Sequence, residues 1–597
     1  MYTWGLPIMK INISRWASRG SLLTCSLMAL FFATSTQADS PEMARPVYVQ
    51  DSPAWAAQRQ SYYTQDQGSQ LVPLAWLRAL DAPGGGAFLA DGLLRYGYLP
   101  NPQSPDGLPV GFTVNGTGPA AFAGMNCAAC HTRQIEVGGQ AYRIDGGPAL
   151  SDFQALLTDL VNSLGAINDH GPRFSAFATK VLGPDPTPNA LAQLQIDVDI
   201  WYARESTMLQ RAYPHPGQWG LGRLDAVSMI FNRLTGLDIG PAPTYIIANN
   251  IQLADAPVRY PFVWNAPKQD RTQWPGFADN GDNLLGLARN LGEVYGVFAR
   301  FHPRHQPIPF VLTKTNFLGD NSANFDGLSR LENLIEAIPA PKYPWSVDVA
   351  LATKGKAVFD LPVARGGCAA CHDQRPGKKR FLNKSTWATP VQDVGTDSRE
   401  YTILDRTAQA GSLTGARMPF GATVQPTDKQ FTMLGVSVIG SILQRALQFP
   451  KGPDVQAFLK GNTVPTKDLS TRLKGAYRKK QDTEANPDCN KTTKPYCYES
   501  RVLYGIWAAA PYLHNGSVPT LADLLAPVDQ RPASFALGRI YDPSRVGLAA
   551  VQPGSPFTRT TTDCTKRGSG ESRCGHTFGT KLSDPQKEAL LEYLKTL

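Results

Sequence analysis

Charge is scarce in this chain. Only 18% of its 597 residues are charged, 58 of them Lys or Arg and 49 Asp or Glu. With 42% hydrophobic residues, that composition excludes a disordered chain. Cysteine is also sparse, at nine, which excludes a small disulfide-stapled scaffold. No segment beyond the N-terminus is apolar enough to span a bilayer, which takes about 20 residues. There is no heptad run and no Gly-X-Y period, so coiled coil and collagen are out. Basic residues are scattered, apart from Lys378-Lys379-Arg380 and Arg478-Lys479-Lys480. No basic helix or nucleic-acid motif results, and nucleic acid is not an expected partner.

Gly and Pro are abundant instead, 54 and 48 residues, which predicts long, stiffened loops around a modest framework. At the N-terminus, Lys10, Arg15 and Arg19 precede a short apolar stretch, Ser21 to Ala33, and small residues end it at Ala38. This pattern reads as a signal peptide over residues 1–38. The expected location is the periplasm or the outside of the cell, in a chain that does not span the membrane. Without that segment eight cysteines remain, an even number that suits an oxidising compartment.

Four of the eight form two copies of one pentapeptide, Cys127-Ala128-Ala129-Cys130-His131 and Cys368-Ala369-Ala370-Cys371-His372. C-x-x-C-H is the attachment signature of c-type haem. Two thiols three residues apart share one face of a helical turn and can form thioethers with a haem edge. The next residue, a histidine, reaches the iron as an axial ligand. The readings that compete are a shared zinc site and a thioredoxin-like pair. Zinc does not require the adjacent His twice, and no βαβ pattern surrounds either motif. Two covalently bound haem c groups are therefore expected. The remaining cysteines, Cys489, Cys497, Cys564 and Cys574, lie in polar loops. Local closure pairs Cys489 with Cys497 and Cys564 with Cys574, one of three connectivities.

The expected fold is mainly α: two cytochrome c-like haem domains with long loops and insertions. A proline-rich stretch, residues 338–345, marks the boundary, giving a first domain over 39–345 and a second over 346–597. In the second, a helix over 351–359 precedes the haem motif. Ser583-Asp584-Pro585-Gln586 reads as a capping box that opens a closing helix, with Leu590, Leu591, Tyr593, Leu594 and Leu597 on its buried side.

What the haems do depends on their sixth ligands, because an iron with two strong protein ligands moves electrons and an open one binds peroxide or dioxygen. For the second haem, His576 is the first candidate, His514 the second and Met418 the third. His170, His215, His302 and His305 read as structural. The first haem has no equally obvious distal ligand in its own half, which points to an open face at His131. The aromatic run Tyr260-Pro261-Phe262-Val263-Trp264, followed by Trp274 and Phe277, could wall that pocket or carry electrons; ordinary core packing is the plainer reading.

The two C-x-x-C-H motifs and the segment Pro511-Tyr512-Leu513-His514-Asn515-Gly516-Ser517-Val518-Pro519-Thr520-Leu521 resemble the dihaem bacterial cytochrome c peroxidase and MauG superfamily. The chain length, the segment from Tyr260 to Trp274 and Gly575-His576 look closest to its rubber oxygenase-like branch. The resemblance implies a reactive N-terminal haem on His131 and a six-coordinate C-terminal haem on His372. It implies a late histidine, here His576, as distal ligand; Met holds that place in the peroxidase branch and Tyr in the MauG branch. A tryptophan between the haems, Trp264 or Trp274, is a further implication, as is a calcium ion between the domains that no motif here demonstrates. The stretch between His131 and His372 is longer than a simple peroxidase needs. Three activities follow as expectations: peroxidase-like chemistry with electrons relayed through the second haem from a small redox protein donor, dioxygenase cleavage of a polyisoprenoid, and non-enzymatic electron transfer. The exported protein should retain two porphyrins per chain after denaturation and organic extraction. A colourless protein, or a single retained porphyrin, would contradict this.

Overall fold

The computed structural model describes residues 45–214, 219–306, 315–380, 384–417, 423–449 and 496–597. The expected signal peptide, Met418, His215 and Cys489 lie outside them. Helices make up 40% and strands 15%, so helix predominates, and there is no barrel. Residues 45–597 form one contact unit.

Helix starts follow local capping chemistry. Pro53–Thr64 is capped by Ser52, Phe153–Gly165 by Asp152, Ala226–Leu237 by Asp225 and Asn283–Gly296 by Asp282. In each, the cap side chain accepts from a backbone N–H that has no partner within the helix. The closing helix, Asp584–Thr596, opens with the expected capping box and Pro in its first turn. Its buried residues include Ala589, Leu590 and Leu594; Leu591, Tyr593 and Leu597 pack half-buried against the same core. The helix before the second haem motif spans Val349–Phe359.

Strands are short and local. The longest pair, Thr132–Val137 with Gln140–Asp145, leaves the first haem motif at once and turns back through Gly138-Gly139. Both glycines have positive φ, as a two-residue hairpin turn of the right hand requires. Val47–Tyr48 adds to this sheet. Asp145 at the hairpin's end accepts from Trp55 Nε1 (2.8 Å), Arg59 Nε (2.7 Å) and Tyr63 Oη, which ties the first helix to the sheet.

The helix Gln430–Gln448 packs against Ala226–Leu237 and Asn283–Gly296. The chain beyond residue 345 thus returns to elements that precede it. Trp345, at the end of the proline-rich stretch, stacks on Tyr541 and meets Trp507 edge-on. No described helix is long and apolar enough to cross a membrane.

The closest crossing in the second half joins Val349–Phe359 to Asp584–Thr596. Gly355 sits at it, where a Cβ would run into the carbonyl of Ala589. Gly355→Ala should therefore force the helices apart and cost about 1–3 kcal/mol. Denaturant unfolding of the haem-loaded protein measures this, and an unchanged midpoint would contradict the packing.

Candidate functional site

Each C-x-x-C-H motif opens onto its own cavity. The first has an empty volume of about 1330 Å³ and is lined by Cys127, Cys130 and His131. The second, of about 1280 Å³, is lined by Cys368, Cys371 and His372.

The first motif is held by its N-cap. Asn126 Oδ1 accepts from Ala128 N (2.8 Å), and its Nδ2 donates to the carbonyls of Tyr62 and Gln65 (3.0 Å each). Cys127–Cys130 forms one helical turn, and His131 follows as its C-cap. Tyr62 Oη donates to the His131 carbonyl (2.9 Å). The His131 ring places Nδ1 2.8 Å from the Pro261 carbonyl. Burial pushes the ring's pKa down to about 4, so it is neutral. A neutral imidazole whose Nδ1–H is committed to a carbonyl offers Nε2 as a metal ligand.

The second motif repeats this device. His372 Nδ1 lies 2.8 Å from the Arg501 carbonyl, and burial lowers the ring's pKa. The four motif cysteines are free. Burial raises their thiol pKa values, that of Cys130 to about 12. Such thiols are the reverse of the low-pKa cysteines of redox pairs. Among the described residues no group of three or more His, Cys, Asp or Glu is placed to hold a metal ion.

The cavities differ in what faces the histidine. In the second, His576 faces His372, with ring centroids 6.1 Å apart. Two imidazoles on opposite sides of one metal, at roughly 2 Å per bond and about 1 Å more to each ring centre, need about 6 Å. His576 is half-buried and neutral, its pKa pushed down to about 3 by desolvation, and its Nδ1 has no hydrogen-bond partner. Its loop is rigid. The Cys564–Cys574 disulfide closes just before it, as the sequence predicts. Gly575, at positive φ, packs directly on Gly395. Arg531 donates to the carbonyls of Gly575 (2.7 Å) and His576 (3.0 Å). Cys497 is also disulfide-bonded.

His514 lines the second cavity too, but it stacks on Tyr498 at 4.0 Å. In the first cavity His131 is the only histidine among the described lining residues. Its wall is largely apolar, with Phe153, Leu224, Met229, Ile230 and Val258. The polar exceptions include Glu293, which accepts from Gln273 Nε2 at 2.7 Å and lies 3.9 Å from Arg289. Burial raises the Glu293 pKa, and Arg289 opposes the rise. Glu400 lines the same wall, fully buried, with Oε2 unpartnered.

The aromatic run divides between the cavities. Tyr260, Pro261 and Val263 line the first and Phe262 the second. Trp274 lines both. Its Nε1 donates to the Arg259 carbonyl at 3.1 Å, and the guanidinium carbons of Arg259 and Arg501 lie 4.8 and 5.4 Å from its ring. Trp264 lines neither; it is fully buried, stacks on Phe262 at 4.8 Å and donates to the Tyr504 carbonyl. Arg259 and Arg501 also line both cavities. These arginines, with Glu293, Gln273 and Glu400, escape sequence reasoning. Glu293 and Arg289, four apart on a helix, read as an ordinary surface pair. The donor set fits haem: two thiols and one neutral imidazole per motif, apolar walls, and buried cations for an anionic porphyrin. Of the structural histidines, His170 pairs with Asp199 (2.8 Å) and His302 with Asp320 (3.0 Å), while His305 is exposed.

Residues 497–536 match a family model described as RoxA-like, cytochrome c-like. That region holds the segment from Pro511 to Leu521 on which the resemblance rests. A RoxA-like cytochrome c-like domain is thus present and implies haem c. The chain is similar to uncharacterized protein y4iJ of Sinorhizobium fredii (strain NBRC 101917 / NGR234), 28% identical with 94% of each chain covered. It is also similar to uncharacterized protein y4iM of the same strain, 26% identical over 56% of this chain and 63% of that protein.

In protein carrying haem at both C-x-x-C-H motifs, Trp274→Phe should shift both sets of absorption bands, because both cavities touch this ring. Trp264→Phe should shift neither. Difference spectra of the two variants check this; bands that move with Trp264 alone would contradict it.

Proposed function

We propose that the protein is an exported dihaem c-type cytochrome oxidoreductase, located in the periplasm or secreted. The cavity around Cys127, Cys130 and His131 is its reactive site, for peroxide or dioxygen. Cys368, Cys371, His372 and His576 would hold a second haem, which would relay electrons. The observation that carries this reading is the asymmetry: His372 faces a second histidine, and His131 faces none among the described residues. A haem bound at the first site supplies a redox-active iron with a vacant coordination position.

The chain's own residues do the rest. The Pro261 carbonyl orients His131. Phe153, Leu224, Met229 and Ile230 exclude water from its cavity. Glu293, beside Arg289 and Gln273, can hold or release a proton there. Trp274 stands in the wall common to both cavities. A small redox protein is the donor for the peroxidase-like activity. Calcium rests on the family resemblance alone.

A second reading is a rubber oxygenase-like dioxygenase that cleaves a polyisoprenoid. The apolar wall of the first cavity and the RoxA-like match favour it. The third, a pure electron carrier, requires both irons to be saturated.

Carbon monoxide added to the reduced, oxygen-free protein should bind once per chain. The His576→Ala variant should bind it at both irons, provided its haem content is intact. No binding to the wild-type protein leaves only the carrier. Peroxide turnover with a reduced cytochrome, set against oxygen uptake with polyisoprene, separates the two enzymes.

A further inference from the structure

The two motif histidines are joined by an unbroken chain of bonds. His131 Nδ1 lies 2.8 Å from the Pro261 carbonyl. The next carbonyl along, that of Phe262, accepts from Arg501 Nη1 at 2.7 Å. The carbonyl of Arg501 itself lies 2.8 Å from His372 Nδ1. Three hydrogen bonds, one peptide unit and one arginine thus run from ring to ring.

Arg501 is built to hold this position. It is buried, 6% exposed, and lines both cavities. Its Nε donates to Glu499 Oε1, which leaves Nη1 free to reach the Phe262 carbonyl. Its guanidinium lies 5.5 Å from the Phe262 ring and 5.4 Å from the Trp274 ring. A planar fork can make both bonds at once, and a single ammonium cannot. Trp274 lies in the same wall, but its indole N–H bonds the Arg259 carbonyl and neither histidine.

We propose that Arg501 is the bridge between the two sites: it fixes the two axial histidines relative to each other and carries the electron between their irons. This rests on the reading that His131 and His372 each hold an iron. The transfer oxidises one iron from Fe(II) to Fe(III) and reduces the other from Fe(III) to Fe(II). No proton and no co-reactant is needed. Bonded and hydrogen-bonded paths couple donor and acceptor better than a van der Waals gap, so cutting one link slows transfer without removing either haem.

The test is pulse radiolysis of the oxidised holoprotein, following how one injected electron redistributes between the two haem absorption bands, with both reduction potentials measured alongside. The variants are Arg501→Met with Glu499→Gln, which removes the buried pair without a net charge change, Arg501→Lys and Trp274→Phe. Both Arg501 variants should slow redistribution by about tenfold or more, the scale on which partners behind a metal-bound histidine act. Trp274→Phe should slow it less. If the double variant does not fold, Arg501→Lys decides. Full haem content with a rate within about twofold of wild type, corrected for potential, overturns the bridge alone. A larger effect from Trp274→Phe also overturns it. Wild-type protein with a single haem overturns the two-iron reading, and the bridge with it.

Discussion

The arrangement depends on one repeated bond, between the Nδ1 of a motif histidine and a backbone carbonyl. His131 uses Pro261 and His372 uses Arg501. Each bond commits one ring nitrogen and turns the other into its cavity. The carbonyls come from segments remote in sequence, so the orientation of each ring is a product of the tertiary fold. The helical turn of the pentapeptide places the cysteines; it does not by itself aim the imidazole.

Both carbonyl-bearing segments belong to the wall between the cavities. Pro261 lines the first cavity and Phe262 the second, while Arg501, Arg259 and Trp274 line both. Burying two arginines is costly unless each N–H finds an acceptor. Here backbone carbonyls and Glu499 serve: Arg259 Nε reaches the Leu513 carbonyl at 3.0 Å, and Arg501 takes Glu499 and Phe262. The matched RoxA-like region, 497–536, contributes Arg501 and Leu513 to this wall.

Much of this was legible in the sequence, for local reasons. The pentapeptides, the capping box at Ser583, the helix before the second motif and the Cys564–Cys574 pair depend on neighbours a few residues away. His576 stood out because it lies two residues beyond a cysteine that closes a short loop. The strands were harder to read, since most are two residues long, too short to show an alternating pattern. Glu400 and Arg501 were invisible because their neighbours along the chain are ordinary. Only the fold brings Glu400 into the first cavity and Arg501 between two histidines. The choice between Trp264 and Trp274 likewise turned on which indole reaches a cavity wall, and residue type carries no such information.

The central claim is that the two cavities differ in coordination, the second closed by a histidine on each side and the first open. Low-temperature electron paramagnetic resonance of the oxidised protein tests this without substrate or variant. The account predicts two ferric signals of equal weight, one low-spin from an iron with two histidines and one high-spin from an iron with a vacant or weakly held position. Two low-spin signals, each with strong axial ligands from the protein on both faces, would contradict it.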